Sequence, residues 1–229
     1  MKVTTDACLF GAWVPAPEGP IRILDVGAGT GLLSLMLAQR SPEAVIDAVE
    51  LDTGAAEQAA ENVRTSPFIN RITVSQSDAR MWMTDEKYDL IVSNPPFFSA
   101  SLQSDNTRRM DVRHSNTLAM DDLLALAGKF LKEEGSLAVL WPFEAYSHWA
   151  SAASTQGYRE LHRLDVFPSA ISRQTRVAAL WQRAAEVDAP PASRETLFIE
   201  EERGRYTTRF TRLLAPFYLR LSVLTSSAK

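Results

Sequence analysis

The segment Asp25-Val26-Gly27-Ala28-Gly29-Thr30-Gly31 constrains this chain more than any other. It follows the apolar run 21–26 and precedes the helical pattern 31–40, so it reads as the turn between a buried strand and a helix. Glycines at such a turn let the backbone bend sharply and approach a ligand closely. The helix that follows points its N-terminus at that ligand. The order is Gly-x-Gly-x-Gly, whereas the dinucleotide fingerprint is Gly-x-Gly-x-x-Gly. Asp25 stands just before the turn; a pyrophosphate gains nothing from that carboxylate, but a cationic ammonium group does.

The same alternation of apolar runs and helical patterns continues along the chain and predicts an α/β fold with a mostly parallel sheet flanked by helices. Strands are expected at 45–49, 72–75, 88–92, 136–141 and 176–181, with helices at 55–64, 121–132 and 143–155. An edge strand is expected at 196–200, and a helical segment in 207–219 should be interrupted by Pro216. One domain over 1–229 is expected, with 1–20 as a segment on the ligand side and 187–229 as a C-terminal extension.

Two acids farther on extend the first site. Glu50 ends the second strand, 23 residues after Gly27, where a carboxylate can accept both hydroxyls of a ribose. Asp78, after the third strand, can accept a hydrogen bond from an adenine amino group, or it can cap a turn. Asp52 reads as a helix cap.

A second site follows the fourth strand directly, at Asn94-Pro95-Pro96-Phe97. Pro95 disfavours the α conformation at Asn94 and keeps it extended, and the paired prolines stiffen the loop. The Asn94 side-chain oxygen and the Pro95 carbonyl can each accept an N–H of one amino group. Phe97 offers a flat face for a planar acceptor. Two acceptors gripping a conjugated amino nitrogen push electron density onto it and aim its lone pair. Such catalysis works through positioning and electrostatics and needs no strong base.

Composition narrows the partners. The 229 residues carry a net charge of −4, which argues weakly against nucleic acid, yet the charge is uneven. Residues 1–150 hold 12 basic and 20 acidic side chains, and residues 151–229 hold 12 and 8, so the second part could present a basic face. Arg108, Arg109, Arg113 and His114 form a local basic cluster after the second site, and Arg173 and Arg176 are further candidates for phosphate contact. The single cysteine, Cys8, rules out an intrachain disulfide and a cysteine-held zinc. No metal site is expected. No apolar run approaches a membrane span and the opening does not read as a secretory signal, so a cytoplasmic location is expected.

The glycine turn, Glu50 and Asp78 occur in the order found in class I S-adenosylmethionine-dependent methyltransferases, which the chain resembles. That resemblance implies a Rossmann-like sheet of seven strands and S-adenosyl-L-methionine bound through Asp25, Gly27, Gly29, Glu50, Asp78 and Asn94. Asn94 to Phe97 resembles the Asn-Pro-Pro-Tyr/Phe signature of amino methyltransferases, whose acceptors include adenine N6, guanine N2 and the glutamine amide of release factors. The opening Met1–Trp13, the segments Ile46–Leu51 and Gln58–Asn62, Ser66-Pro67, and the tail from Tyr206 to Leu219 resemble the bacterial tRNA1(Val) adenine-37 N6-methyltransferases. In that family the opening segment lies beside the cofactor, which implicates Thr5 and Asp6 unless they only form a capped turn. The resemblance implies methylation of adenine 37 N6 in tRNA. The alternatives are a release-factor glutamine, another RNA base, or a binding module without chemistry. Oligomeric state is not read from the sequence.

Overall fold

The computed structural model describes residues 4–95, 120–184, 191–202 and 204–218. After helix α1 (Thr5–Trp13) the chain forms β1 (Arg22–Val26), α2 (Leu32–Arg40), β2 (Val45–Glu50), α3 (Thr53–Arg64), β3 (Ile72–Gln76) and β4 (Tyr88–Ser93). Then come α4 (Met120–Phe130), β5 (Leu131–Pro142), α5 (Phe143–Thr155), β6 (Tyr158–Ser169) and β7 (Arg176–Arg183). β8 (Ser193–Glu202), β9 (Arg205–Tyr206) and α6 (Thr208–Leu214) complete the described elements, with a 3₁₀ turn over Ala215–Phe217 that carries Pro216 where the helix stops.

The strands form one sheet in the order β3-β2-β1-β4-β5-β7-β6-β8-β9. β3, β2, β1, β4 and β5 are parallel, and β7 inserts antiparallel between β5 and β6. The seven-stranded sheet that the resemblance implies is present as β1–β7, with β6 at a place where no strand was expected; β8, which covers the expected edge strand 196–200, and β9 lengthen the edge beyond them. From β1 the chain first moves outward to β2 and β3, then returns to the other side of β1 as β4. That reversal opens a crevice at the carboxyl ends of β1 and β4, where ligands of open α/β sheets bind.

Both faces of the sheet are covered. Phe10 of α1, Leu37 of α2, Val63 of α3, and Phe210 and Leu214 of α6 share one buried cluster. Leu123 and Phe130 of α4 and Trp149 of α5 share the other. Trp149 stacks on Trp141 with ring centroids 4.7 Å apart. Two elements lie where no regular periodicity marks them. α1 is buried along its whole middle, from Ala7 to Ala12, so no polar face marks its turn. β6 opens with the charged run Arg159-Glu160-Leu161-His162-Arg163, which hides its alternation.

Arginines from neighbouring elements close two helix ends, whose last carbonyls otherwise lack partners. Arg40 donates from Nη1 to the carbonyls of Gly11 at 2.9 Å and Val14 at 2.5 Å, closing α1. Arg71 donates to Ala38 at 2.7 Å, Ser41 at 2.9 Å and Ala44 at 3.1 Å, closing α2. Arg71→Met keeps the stem but removes those donors. Urea unfolding should show a loss of about 1.5–3 kcal/mol with an unchanged slope; a loss within measurement error would show that water replaces the guanidinium there.

Candidate active site

The glycine turn leaves β1 with Gly27, Gly29 and Gly31 at φ of 72°, 58° and 80°. All three lie in the left-handed region that other residues enter only at a cost. A Cβ at Gly31 would stand 3.4 Å from Cβ of Ala59, an ordinary contact, so the left-handed φ and not crowding calls for glycine there. A Cβ at Gly27 would meet nothing within 4 Å, so that position faces open space. Gly27 and Ala28 donate their amides to the Val49 carbonyl at 2.9 and 3.1 Å.

Glu50 sits at the carboxyl end of β2 and is 9% exposed. Its Oε2 accepts the amide of Gly29 at 2.7 Å, and its Oε1 accepts the amide of Asp52 at 2.9 Å. A carboxylate oxygen has two acceptor directions, so each retains one. Asp52 caps α3 by accepting from the amide of Ala55 at 2.8 Å.

Asp25 is fully buried. Its Oδ2 accepts the Ser34 amide at 3.1 Å and the Ser34 hydroxyl at 2.7 Å, which ties β1 to the first turn of α2. Its Oδ1 is buried without a hydrogen-bond partner among the described residues. Burial pushes the carboxyl up to about 6; the Ser34 bonds work against that rise and the charge of Glu50 adds to it.

β4 delivers the second site to the same crevice. Ser93 is the register partner of Val26, and its hydroxyl donates to the Val26 carbonyl at 2.8 Å. The next residues along the two strands are Asn94 and Gly27, so the amide side chain and the open glycine issue from neighbouring strand ends. Asn94 is half-buried and Pro95 buried. Pro96, Phe97 and the cluster Arg108, Arg109, Arg113 and His114 lie outside the described residues.

Asp78 follows β3 and caps a 3₁₀ turn, accepting the Arg80 amide at 2.9 Å. It also forks onto the Arg80 guanidinium, which holds its carboxyl below the ordinary value. At the chain's opening, Thr4 caps α1 by accepting from Ala7 at 3.2 Å, while Thr5 is exposed in the first turn. Asp6 pairs with Arg176 at 3.2 Å, binding the start of α1 to the start of β7. The structure therefore gathers Asp25, Gly27, Gly29, Glu50 and Asn94 around one crevice. It engages Asp78 with Arg80 and Asp6 with Arg176. Ser34 and Ser93 escaped the sequence reading, because each matters through a partner far along the chain.

Comparison with known proteins gives the crevice its context. The methyltransferase small domain family matches residues 15–152. A protein of Parabacteroides distasonis named tRNA1(Val) (adenine(37)-N6)-methyltransferase is 44% identical over 226 residues, covering 96% of this chain and 92% of its own length. A protein of the same name from Dyadobacter fermentans is 40% identical over 221 residues, covering 96% and 91%. Among solved structures, one described as a predicted O-methyltransferase from Agrobacterium tumefaciens superposes with a TM-score of 0.71 over 92% of this chain and 95% of its own, at 19% identity. At that identity the likeness shows the fold.

Asp25 gives a signed pH prediction. A carboxyl raised from 3.8 to about 6 on folding holds its proton more tightly in the native state. Its contribution to stability is complete below the ordinary value and is lost as pH rises through about 6. Asp25→Asn has no proton to lose, so the variant should gain on the parent between about pH 4 and pH 7, by on the order of 3 kcal/mol. Urea unfolding of both proteins across that range checks it; a difference independent of pH would contradict it.

Proposed function

The chain belongs to the tRNA1(Val) (adenine(37)-N6)-methyltransferase family, and from that premise we propose that it methylates the exocyclic N6 of adenine 37 in tRNA1(Val), with S-adenosyl-L-methionine as the methyl donor. The observation that carries this reading is the meeting of Asn94 with the glycine turn at adjoining strand ends, beside Glu50. The residues present suit such a donor. A buried carboxylate oxygen without a partner, Asp25 Oδ1, matches a cationic amino group. The open position at Gly27 leaves room for close approach of a ligand to the backbone. When bound, the cofactor would supply a sulfonium methyl that a nitrogen lone pair can take up as the C–S bond breaks and the sulfur leaves as a neutral thioether.

Each residue's part follows from its chemistry. Asp25 and the turn at Gly27 and Gly29 would hold the amino-acid end. Glu50, braced by two main-chain amides, would use its remaining acceptor directions for the ribose hydroxyls. Asp78 would serve the adenine side. Asn94 through its side-chain oxygen, and Pro95 through its carbonyl, would accept the two hydrogens of the target amino group. That grip turns the nitrogen lone pair toward the methyl and stabilises the positive charge that develops on nitrogen. The extra proton then leaves to water. Pro96 and Phe97 complete the motif, Phe97 as the surface on which the target base stacks. A base beside the anticodon lies in a loop, so little pairing energy opposes its extrusion. Thr5 would border the pocket from the start of α1.

Among the described residues no helix is long and apolar enough to cross a membrane, and no group of His, Cys, Asp or Glu could hold a metal. We place the enzyme in the cytoplasm, where its substrate is. Purified protein with labelled cofactor should methylate tRNA1(Val) and leave release factor unlabelled; the reverse would move the glutamine reading ahead. Asn94→Ala should lower kcat on tRNA by about 10²–10³ and leave cofactor affinity, measured by calorimetry, nearly unchanged. Near-normal turnover of that variant would exclude the amino-group grip.

A further inference from the structure

The far edge of the sheet holds a charge arrangement that the transfer site does not use. Following the ladder outward from Ser93, successive partners are Val139, Ala179, Arg163 and Arg194. The two arginines therefore stand side by side on β6 and β8, level with the residue before Asn94. At about 4.8 Å per strand they lie roughly 14 and 19 Å across the sheet from it.

Like charges on register partners repel, and Asp165 makes the pairing tolerable. It is 2% exposed and accepts Nε of Arg163 at 2.7 Å, Nε of Arg194 at 2.5 Å and Nε2 of Gln174 at 2.6 Å. Burial alone would raise its carboxyl, but the bonds from Arg163, Arg194 and Gln174 outweigh burial and hold it below the ordinary value. One negative charge thus fixes two positive groups. Both arginines meet it through Nε, and no hydrogen bond among the described residues engages their terminal Nη groups. Arg163 is fixed further by lying over the Tyr146 ring, 4.5 Å from its centroid.

The surroundings favour an acceptor-rich occupant. Arg163 lines a cavity of about 760 Å³ along α5 together with Arg159, Trp181 and two carboxylates, Glu144 and Glu160, of which Glu160 is engaged by the Tyr146 hydroxyl. Arg159 Nε and Trp181 Nε1 are buried donors with no hydrogen-bond partner among the described residues. On β8, Leu197 is buried toward α6, while Arg194, Thr196 and Phe198 on the opposite face stay exposed. Phe198 is 37% exposed and lies beside Phe167, ring centroids 5.3 Å apart. This edge belongs to residues 151–229, which hold 12 basic and 8 acidic side chains; of the acids, Glu195, Glu200, Glu201 and Glu202 lie along β8, with Glu195 paired to Arg209. Fixed guanidinium ends, unused donors and an exposed aromatic ring together match the phosphates and bases of a nucleic-acid strand.

We propose that Arg163 and Arg194, held by Asp165, clamp a backbone phosphate of the tRNA, with Phe198 as a face for a neighbouring base; this rests on the tRNA reading above. The side chain of Arg194 is 62% exposed, but its Nε is one of the three donors to buried Asp165, so Arg194→Gln, which removes the charge and keeps a donor there, is measured beside Arg194→Glu with the same expected direction. The test measures steady-state methylation and filter binding of tRNA1(Val) by the parent, Arg194→Glu and Phe198→Ala, with calorimetry of cofactor binding. Arg194→Glu should raise KM for tRNA about tenfold and flatten the plot of log affinity against log salt by about one unit, with cofactor affinity unchanged. Phe198→Ala should raise KM without altering the salt slope. If the parent methylates tRNA while Arg194→Glu keeps its KM and salt slope, the clamp is overturned and the function stands. If the parent neither binds nor methylates tRNA, the function falls and the clamp with it.

Discussion

A carboxylate at the end of β2 braces a turn in which every second residue, Gly27, Gly29 and Gly31, has no side chain with which to brace it. Gly27, Gly29 and Gly31 supply the left-handed backbone that turns β1 into α2, but glycine also gives the turn the greatest conformational freedom to lose. Glu50 removes part of that freedom by accepting the Gly29 amide at 2.7 Å, and Asp25 removes more by binding Ser34 in the first turn of α2. The β4 strand is then joined to the same place by the Ser93 hydroxyl on the Val26 carbonyl. The ends of three strands are thereby fixed to one another, and Asn94 inherits its position from them.

The parts of this arrangement that could be read from sequence are those whose chemistry is local. The glycine spacing, the acid before it, Glu50 at a strand end and the Asn94–Pro95 step each announce a backbone shape or a donor and acceptor need within a few residues. What could not be read depends on distant partners. Ser34 and Ser93 look like ordinary polar residues until Asp25 and the Val26 carbonyl are brought to them. Arg40 and Arg71 look like solvent-facing charges, yet they close helix ends supplied by other segments. α1 lacked a polar face because both α2 and α6 pack on it, and β6 was disguised by charges. Asp78 caps a 3₁₀ turn by accepting the Arg80 amide and also engages the Arg80 guanidinium, a local partner only two positions on.

The β7 insertion has a consequence for the second half of the chain. Because β7 runs against both β5 and β6, it sets β6 parallel to β5 and brings the carboxyl ends of β6 and β8 to the same edge as Asn94. The acidic part of the sequence, residues 1–150, forms the crevice at β1, β2 and β4, which suits a cationic cofactor. The more basic part, residues 151–229, extends the sheet away from it and offers Arg163 and Arg194 on a shared face. A polyanionic substrate can then be attracted over one region of the sheet while its target base is handled in another, which reconciles a net charge of −4 with an RNA substrate.

The most direct test of this function is nucleoside mass spectrometry on tRNA1(Val) isolated from cells with and without the gene for this chain. Loss of N6-methyladenosine from position 37 in the deletion strain, with its return on expression of the intact protein, is the predicted result. Undiminished N6-methyladenosine at that position in the deletion strain would contradict it.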